Sequence, residues 1–239
     1  MSKIILVGGS SELGNAVAER LLSSTSFGYG SIIKLSTSLQ SENSINWNPT
    51  NFESTLAGLR EIHVDRNDCV VVALGKLLEQ KTLDESSVET LSLYNVLNVN
   101  FIVPLLSISY FFNELKGKQG GRIILLSSTA AFPVLDGNFL YGLAKLSLDI
   151  YAQYLQRTLG NSKVQVVIVR SGFVNTKLNK GRTPTPFSRT PEEVGNLVVR
   201  NLHKRVIWTP PIFQLVCFLL TRIKLLKLMA NYLVRKSKI

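Results

Sequence analysis

Apolar residues along this chain fall in short unbroken runs, separated by longer stretches in which they recur every three or four positions. The runs are Ile4-Ile5-Leu6-Val7, Ile32-Ile33, Val70-Val71-Val72, Ile123-Ile124-Leu125-Leu126 and Val166-Val167-Ile168-Val169. Short β-branched runs bounded by glycine or serine mark strands covered on both faces. They predict strands at residues 3–7, 31–36, 69–74, 122–127 and 163–169, with a shorter one at 44–48. The periodic stretches predict helices from the turn at Gly14 to about Leu22, at 52–62, at 87–116 with a kink at Pro104, at 141–159 and at 190–203. Thr190, Pro191 and Glu193 spell a capping box with proline in the first turn, which opens the last of these. Strands alternating with helices imply an α/β protein with a doubly wound parallel sheet. The connection 37–44 is too short for a crossover helix, so that sheet edge is expected to be irregular.

The first strand runs straight into Gly8-Gly-Ser-Ser-Glu-Leu-Gly14. A glycine-rich turn opening a helix aims backbone N–H groups and the positive helix end at an anion, and a dinucleotide pyrophosphate suits it. Gly8, Ser10, Ser11, Leu13 and Gly14 are therefore candidate cofactor contacts, and the fold is Rossmann-like. At the end of the second strand, where an NAD-preferring site places a carboxylate on the ribose, stand Ser36, Thr37 and Ser38. Cofactor choice between NADP(H) and NAD(H) thus leans to NADP(H). Asn48 is placed to meet the adenine edge.

Tyr141 and Lys145 lie four apart on a predicted helix, so the phenol and the ammonium can share one face. A neighbouring cation favours the phenolate and would bring the tyrosine toward acid–base work near neutral pH. Ser128 lies thirteen positions upstream at the end of a strand, where its hydroxyl can bond a reacting oxygen. Tyr232 and Lys236 repeat the spacing without such a serine, so the context and not the spacing singles out Tyr141.

At 239 residues and 45% apolar composition the chain can bury a large core. Its net charge of +11 is uneven, because no acid follows Glu193 whereas nine lysines and arginines do. These are interleaved with Leu, Ile, Phe and Val, which points to an anionic membrane surface and away from nucleic acid. One helix over 212–234 would put Lys224, Lys227, Asn231 and Arg235 along one stripe, opposite Ile223, Leu226, Ala230 and Leu233. An in-plane anchor is expected, its alternative being a helix packed in a dimer. Cys69 and Cys217 stand apart, His63 and His203 are isolated, no metal site is implied, and a reducing compartment is expected.

Taken together, residues 3–206 resemble the short-chain dehydrogenase/reductase superfamily. The glycine turn, Gly75 after the fourth strand, Asn100, the Ser128, Tyr141 and Lys145 set, and Ser171-Gly-Phe-Val-Asn-Thr176 carry the resemblance. It implies that Tyr141 is the proton donor, Lys145 also binds the nicotinamide ribose, Ser128 orients the carbonyl and Asn100 supports a relay water. Ala73 and Gly75 would flank the cofactor, and Gly172, Val174 and Thr176 would meet its nicotinamide and phosphate end. Three positions depart from the pattern: Glu12 replaces the middle glycine and must turn from the phosphates or cap the helix, Val72-Ala-Leu precedes Gly75, and Ser171 replaces a proline. More narrowly, the turn and Val206-Ile-Trp-Thr-Pro-Pro211 look like decaprenylphosphoryl-ketopentose 2-reductases and related lipid-linked sugar reductases. That implies a polyprenyl-phosphate-linked ketosugar reduced at the cytoplasmic membrane face. Separately, the Leu, Ile and Phe residues over 95–116 exceed what one face of a sheet can cover, which predicts a homodimer or homotetramer pairing this helix and the Tyr141 helix with their symmetry mates. A steroid, retinoid or acyl reductase, and a nucleotide-sensing protein without turnover, are the alternatives. The expected division is a catalytic domain at 1–206 and a hydrophobic basic tail at 207–239.

Overall fold

The computed structural model describes residues 1–37, 43–48, 52–77, 90–134 and 139–223. Within them β1 (Ser2–Val7), β2 (Tyr29–Ser36), β3 (Ser44–Asn46), β4 (Cys69–Val72), β5 (Gly121–Ser128), β6 (Val164–Ser171) and β7 (Val206–Thr209) form one sheet. Its order is β3-β2-β1-β4-β5-β6-β7, with every pairing parallel. The chain winds outward from β1 to β3, returns to β4 beside β1, then winds outward the other way. That reversal opens a crevice at the carboxyl ends of β1 and β4.

Alternate strand residues face opposite layers. Ile4 and Leu6 pack with Val17, Leu21, Val194 and Val198 under α1 (Glu12–Leu22) and α6 (Pro191–Arg200). Ile5 and Val7 belong to the layer of Leu59, Phe111, Leu148 and Leu155 under α2 (Phe52–Arg60), α4 (Val103–Gly117) and α5 (Phe139–Thr158). Each such side chain, wholly withdrawn from water, contributes about 1.5–3 kcal/mol, so the two layers hold the crevice rigidly. The predicted capping box at Thr190 and Glu193 is present in both directions.

Three elements differ from the sequence reading. The helix predicted over 87–116 is α3 (Thr90–Leu97), a π-helical turn at Asn98–Ile102 and α4, while 87–89 lie outside the described residues. Val103 N–H reaches back five residues to the Asn98 carbonyl, so the helix widens just before Pro104. The stretch Leu93–Gly117 is long and apolar enough to cross a bilayer, yet half of its most apolar window is buried inside this domain. Secondly, Val206–Thr209 is the seventh strand, paired with β6 from Ile168 to Ser171, so a division at residue 206 runs through the sheet. Thirdly, the helix predicted over 212–234 is α7 (Phe213–Arg222), and Ile223 is already extended. Lys224, Lys227, Asn231, Arg235 and the decoy pair Tyr232 and Lys236 lie outside the described residues, as does Ser38.

Candidate active site

The turn after β1 is locked by its own backbone. Gly8 adopts a φ of 97° and approaches β4 so closely that a Cβ there would lie 3.1 Å from the Ala73 carbonyl. Gly8 and Gly9 N–H both donate to the Leu35 carbonyl, at 3.1 and 2.8 Å. Ser11 caps α1 by accepting from Gly14 N–H, and Asn15 Nδ2 donates to the Gly9 and Ser11 carbonyls. At Gly14 a Cβ would come within 2.5 Å of the Ala73 Cβ, which is why only glycine lets α1 sit this low on the sheet. Gly14 is a packing position, whereas Gly8, Ser10, Ser11 and Leu13 line the crevice itself. Glu12 turns from the turn as expected: its Oε2 accepts from Lys177 N–H at 2.7 Å, clasping the segment after β6.

Tyr141 stands in the first turn of α5, and Lys145 and Asp149 follow it at intervals of four, forming one stripe toward β5 and β6. Gly142 lets α5 press onto the turn after β5, since a Cβ there would meet the Ala130 carbonyl at 2.6 Å. Ser128, the last residue of β5, caps that turn by accepting from Ala130 N–H and also bonds the Tyr141 phenol. Ser128 and Tyr141 thus bond one another, and Lys145 stands beside the Tyr141 ring in the same cleft.

Their electrostatics differ from the sequence reading. Burial raises the Tyr141 phenol above its ordinary value, and the Ser128 hydrogen bond and the Arg182 charge offset only part of that. Lys145 does not depress it here. Its Nζ lies 5.7 Å from the centre of the Tyr141 ring and donates to the Leu74 and Leu126 carbonyls at 2.8 and 3.1 Å. Only 3% exposed, Lys145 is pushed down to about 8 by burial. A tyrosine that keeps its proton is a donor, which suits reduction of a carbonyl. The Lys145 charge is fully present well below pH 8 and is lost as pH rises through about 8, so a step that needs the ammonium is favoured on the acid side. We expect kcat/KM for the dinucleotide to be flat below about pH 8 and to fall about tenfold per unit above it. A plateau reaching the ordinary lysine range near ~10.4 would contradict the burial of this ammonium.

Asn100 is placed otherwise than expected. Wholly buried in the π turn, its Oδ1 accepts from Lys76 N–H at 2.9 Å, and its Nδ2 donates to the Lys76 and Val96 carbonyls. It clamps the chain just after Gly75 and so positions the crevice wall from behind. The relay role stays an implication of the resemblance alone.

A single cleft of about 790 Å³ joins these parts. Of the predicted cofactor contacts, Gly8, Ser10, Ser11, Leu13, Ala73, Gly75, Tyr141, Lys145, Gly172, Val174 and Thr176 line it, together with Ser128. Ser36, Thr37 and Asn48 lie beyond it, at the ends of β2 and β3, where Ser36 is buried while Thr37 and Asn48 are exposed. Thr37, not Ser36, is therefore the accessible position at that edge. The donor set fits a nicotinamide dinucleotide: a glycine turn at a helix start, an open Gly75, and a lysine at the far end.

Sequence reasoning missed the part of the lining that α7 contributes. Phe213, Val216, Cys217 and Leu220 of α7 also line the cleft. Their spacing of three and four was legible, but it was masked by the basic stripe that drew the same segment toward a membrane. Gly172 admits α7, for a Cβ there would lie 2.4 Å from the Phe213 ring. Arg182 also lines the cleft, in the polar, basic segment 177–189 that follows β6.

A doubly wound sheet with a serine, tyrosine and lysine gathered beside a glycine turn at its switch point defines a dinucleotide-binding class of α/β fold. The family model for short chain dehydrogenase matches residues 2–186, and the chain belongs to that family. An uncharacterized oxidoreductase of Mycobacterium tuberculosis is 30% identical over 142 residues, covering 59% of this chain and 56% of that protein. The NADH-dependent enoyl-[acyl-carrier-protein] reductase of Bacillus subtilis is 31% identical over 91 residues, 33% of this chain and 35% of its own. The chain thus spans about half or less of the length of these curated relatives. A short chain dehydrogenase of Burkholderia cenocepacia, solved with NADP, superposes with a TM-score of 0.78 at 17% identity, covering 96% of this chain and 97% of that one. One from Streptomyces avermitilis gives 0.71 at 16% identity, covering 100% and 98%. At such identities these structures show the shared fold.

Proposed function

We propose that this chain is an NAD(P)H-dependent carbonyl reductase, leaning to NADP(H), whose substrate is membrane-associated and most closely a polyprenyl-phosphate-linked ketosugar of bacterial cell-envelope glycan synthesis. The observation that carries it is that Ser128, Tyr141 and Lys145 share one cleft with apolar residues of α7. The dinucleotide supplies the hydride when bound. Ser10, Ser11, Leu13, Gly75 and Lys145 would hold it, with Thr176 at its phosphate end. Ser128 orients the carbonyl by a hydrogen bond to its oxygen, and the Tyr141 hydroxyl gives that oxygen a proton. A steroid, retinoid or acyl carbonyl is the second reading, which the same apolar residues favour. Lipids from cells lacking the protein separate the two. A polyprenyl-phosphate ketosugar should accumulate and be consumed by purified protein with NADPH, whereas accumulation of a neutral or acyl ketone would overturn the sugar assignment.

The proposed setting is the cytoplasmic face of an anionic membrane. α7 turns Leu215, Phe218 and Leu219 outward into solvent, and the basic residues of 224–239 follow it in the chain. Because α7 walls the cleft, truncation belongs after Ile223 and not at residue 212. Removing 224–239 is expected to release the protein from vesicles of acidic lipid, and retention on them would sink the anchor. We further propose a homodimer or homotetramer built on α5, which leaves Leu143, Ile150 and Tyr154 exposed along one stripe. Light scattering should give at least twice the chain mass; a monomer would refute it.

A further inference from the structure

The segment after β6 crosses the crevice that a dinucleotide has to enter. Its base is fixed where Val174 bridges Arg189, with Asn175 N–H donating to the Arg189 carbonyl at 2.9 Å and Arg189 N–H to the Phe173 carbonyl at 3.1 Å. Beyond that base, Lys177, Leu178, Asn179, Arg182 and Thr185 all line the cleft. Two adjacent residues reach the two strand ends that bound the crevice. Lys177 N–H meets Glu12 on the glycine turn after β1, and Leu178 reaches Gly75 after β4, where a Cβ would stand 3.7 Å from Leu178 Cδ2. The sheet order reverses between those strands, so the segment spans the switch point. Further along, Phe187 meets the Phe213 ring of α7 edge-on, at 5.7 Å between centres.

Glu12 is the first residue of α1, at a position where the short-chain dehydrogenase pattern has a glycine. The helix dipole favours an acid there whatever it touches. What the dipole does not account for is its aim. Glu12 Oε2 accepts from Lys177 N–H at 2.7 Å, across 165 positions of sequence. The Lys177 ammonium, 4.0 Å from Oε1, is 90% exposed and adds little. The backbone bond is the substantial part, because a carboxylate accepting from an N–H is charge-assisted and its loss shifts an equilibrium by about tenfold or more. A smaller hollow of about 440 Å³ adjoins the cleft, and both include Glu12 and Lys177 in their lining, so the clasp stands where the two spaces meet.

Resting on the dinucleotide assignment above, we propose that Glu12 is a kinetic latch. Its bond to Lys177 N–H is made both before and after the dinucleotide binds and has to break for the dinucleotide to pass. It therefore slows entry and release alike and leaves affinity nearly unchanged. A glycine at this position has no side chain with which to do so.

The test measures NADPH binding and its displacement by excess NADP⁺ in stopped-flow fluorescence, with the full-length protein. E12A should raise the association and dissociation rate constants by about tenfold each and keep Kd within about threefold. E12Q keeps an oxygen that accepts from the N–H, so both of its rates should stay within about threefold of wild type. A second readout needs no dinucleotide: trypsin cutting at the exposed Lys177 and Lys180 reports how often the segment opens. E12A should be nicked there about tenfold faster than wild type, and E12Q should not. Unchanged rates in E12A would overturn the latch. So would equal behaviour of E12A and E12Q with Kd tightened in both, which would make the carboxylate a charge beside the pyrophosphate and leave the dinucleotide assignment standing. Failure of wild type to bind NADPH at all would instead overturn that assignment, and the latch with it.

Discussion

Replacing Tyr141 by phenylalanine is expected to lower ketone reduction by about 10²–10⁴-fold, the usual contribution of a positioned general acid, and to leave dinucleotide affinity almost unchanged. The substitution removes one hydroxyl and keeps the ring that lies 5.7 Å from Lys145 Nζ, so the lysine keeps its place and its bonds to the Leu74 and Leu126 carbonyls. Ser128 keeps its bond to Ala130 N–H. The phenol is the group in this cluster that burial holds protonated, so its loss leaves the developing alkoxide without a placed donor. Steady-state kcat and a fluorescence titration with NADPH, run side by side, separate the two effects. Near-normal turnover would mean that another group gives the proton; a large fall in affinity would mean that the hydroxyl itself helps to hold the dinucleotide.

The second large effect is expected at a residue that touches neither substrate nor cofactor. Asp149, wholly buried one turn beyond Lys145, takes Arg170 Nε and Nη2 at 2.9 and 2.6 Å, Ser127 Oγ at 3.1 Å and Gln153 Nε2 at 2.7 Å. Arg170 is held between the Phe132 and Trp208 rings, at 4.1 and 4.7 Å from their centres. Breaking a buried pair strands the other charge, which typically costs about 3–5 kcal/mol. Asp149→Ala should lose that much in urea unfolding, and activity should fall because Ser127 is the residue before Ser128. Replacing both partners with apolar residues, as in D149L with R170M, should recover much of the stability, since no lone charge then remains. A loss below about 1 kcal/mol in Asp149→Ala would show that water reaches the pair.

The core strands were legible because their burial on both faces writes itself as unbroken apolar runs, and the glycine turn because Gly8 and Gly14 are required by close backbone approach. Ser128, Tyr141 and Lys145 were legible through helical spacing and one strand end. What stayed hidden depends on contacts far apart in sequence. β7 is four residues long and gains its identity only by pairing with β6. α7 carries apolar residues on two faces, and nothing local says that Phe213 rests on Gly172. The stripe from Tyr141 and Lys145 extended to Asp149, yet its partner Arg170 lies on β6. Burial also reversed the expected electrostatics: proximity to Lys145 suggested a lowered phenol, whereas desolvation governs both groups.

The central claim is that hydride and proton are delivered to a carbonyl in this cleft, and isotope transfer tests it most directly. Purified protein is given NADPH carrying deuterium at the transferable C4 position and a panel of soluble ketones, and any alcohol formed is examined by mass spectrometry. The prediction is one deuterium at the carbinol carbon with wild type, and at most a trace with Tyr141→Phe. Binding of NADPH with no label in any product would contradict it, and would make the chain a nucleotide-binding protein without turnover.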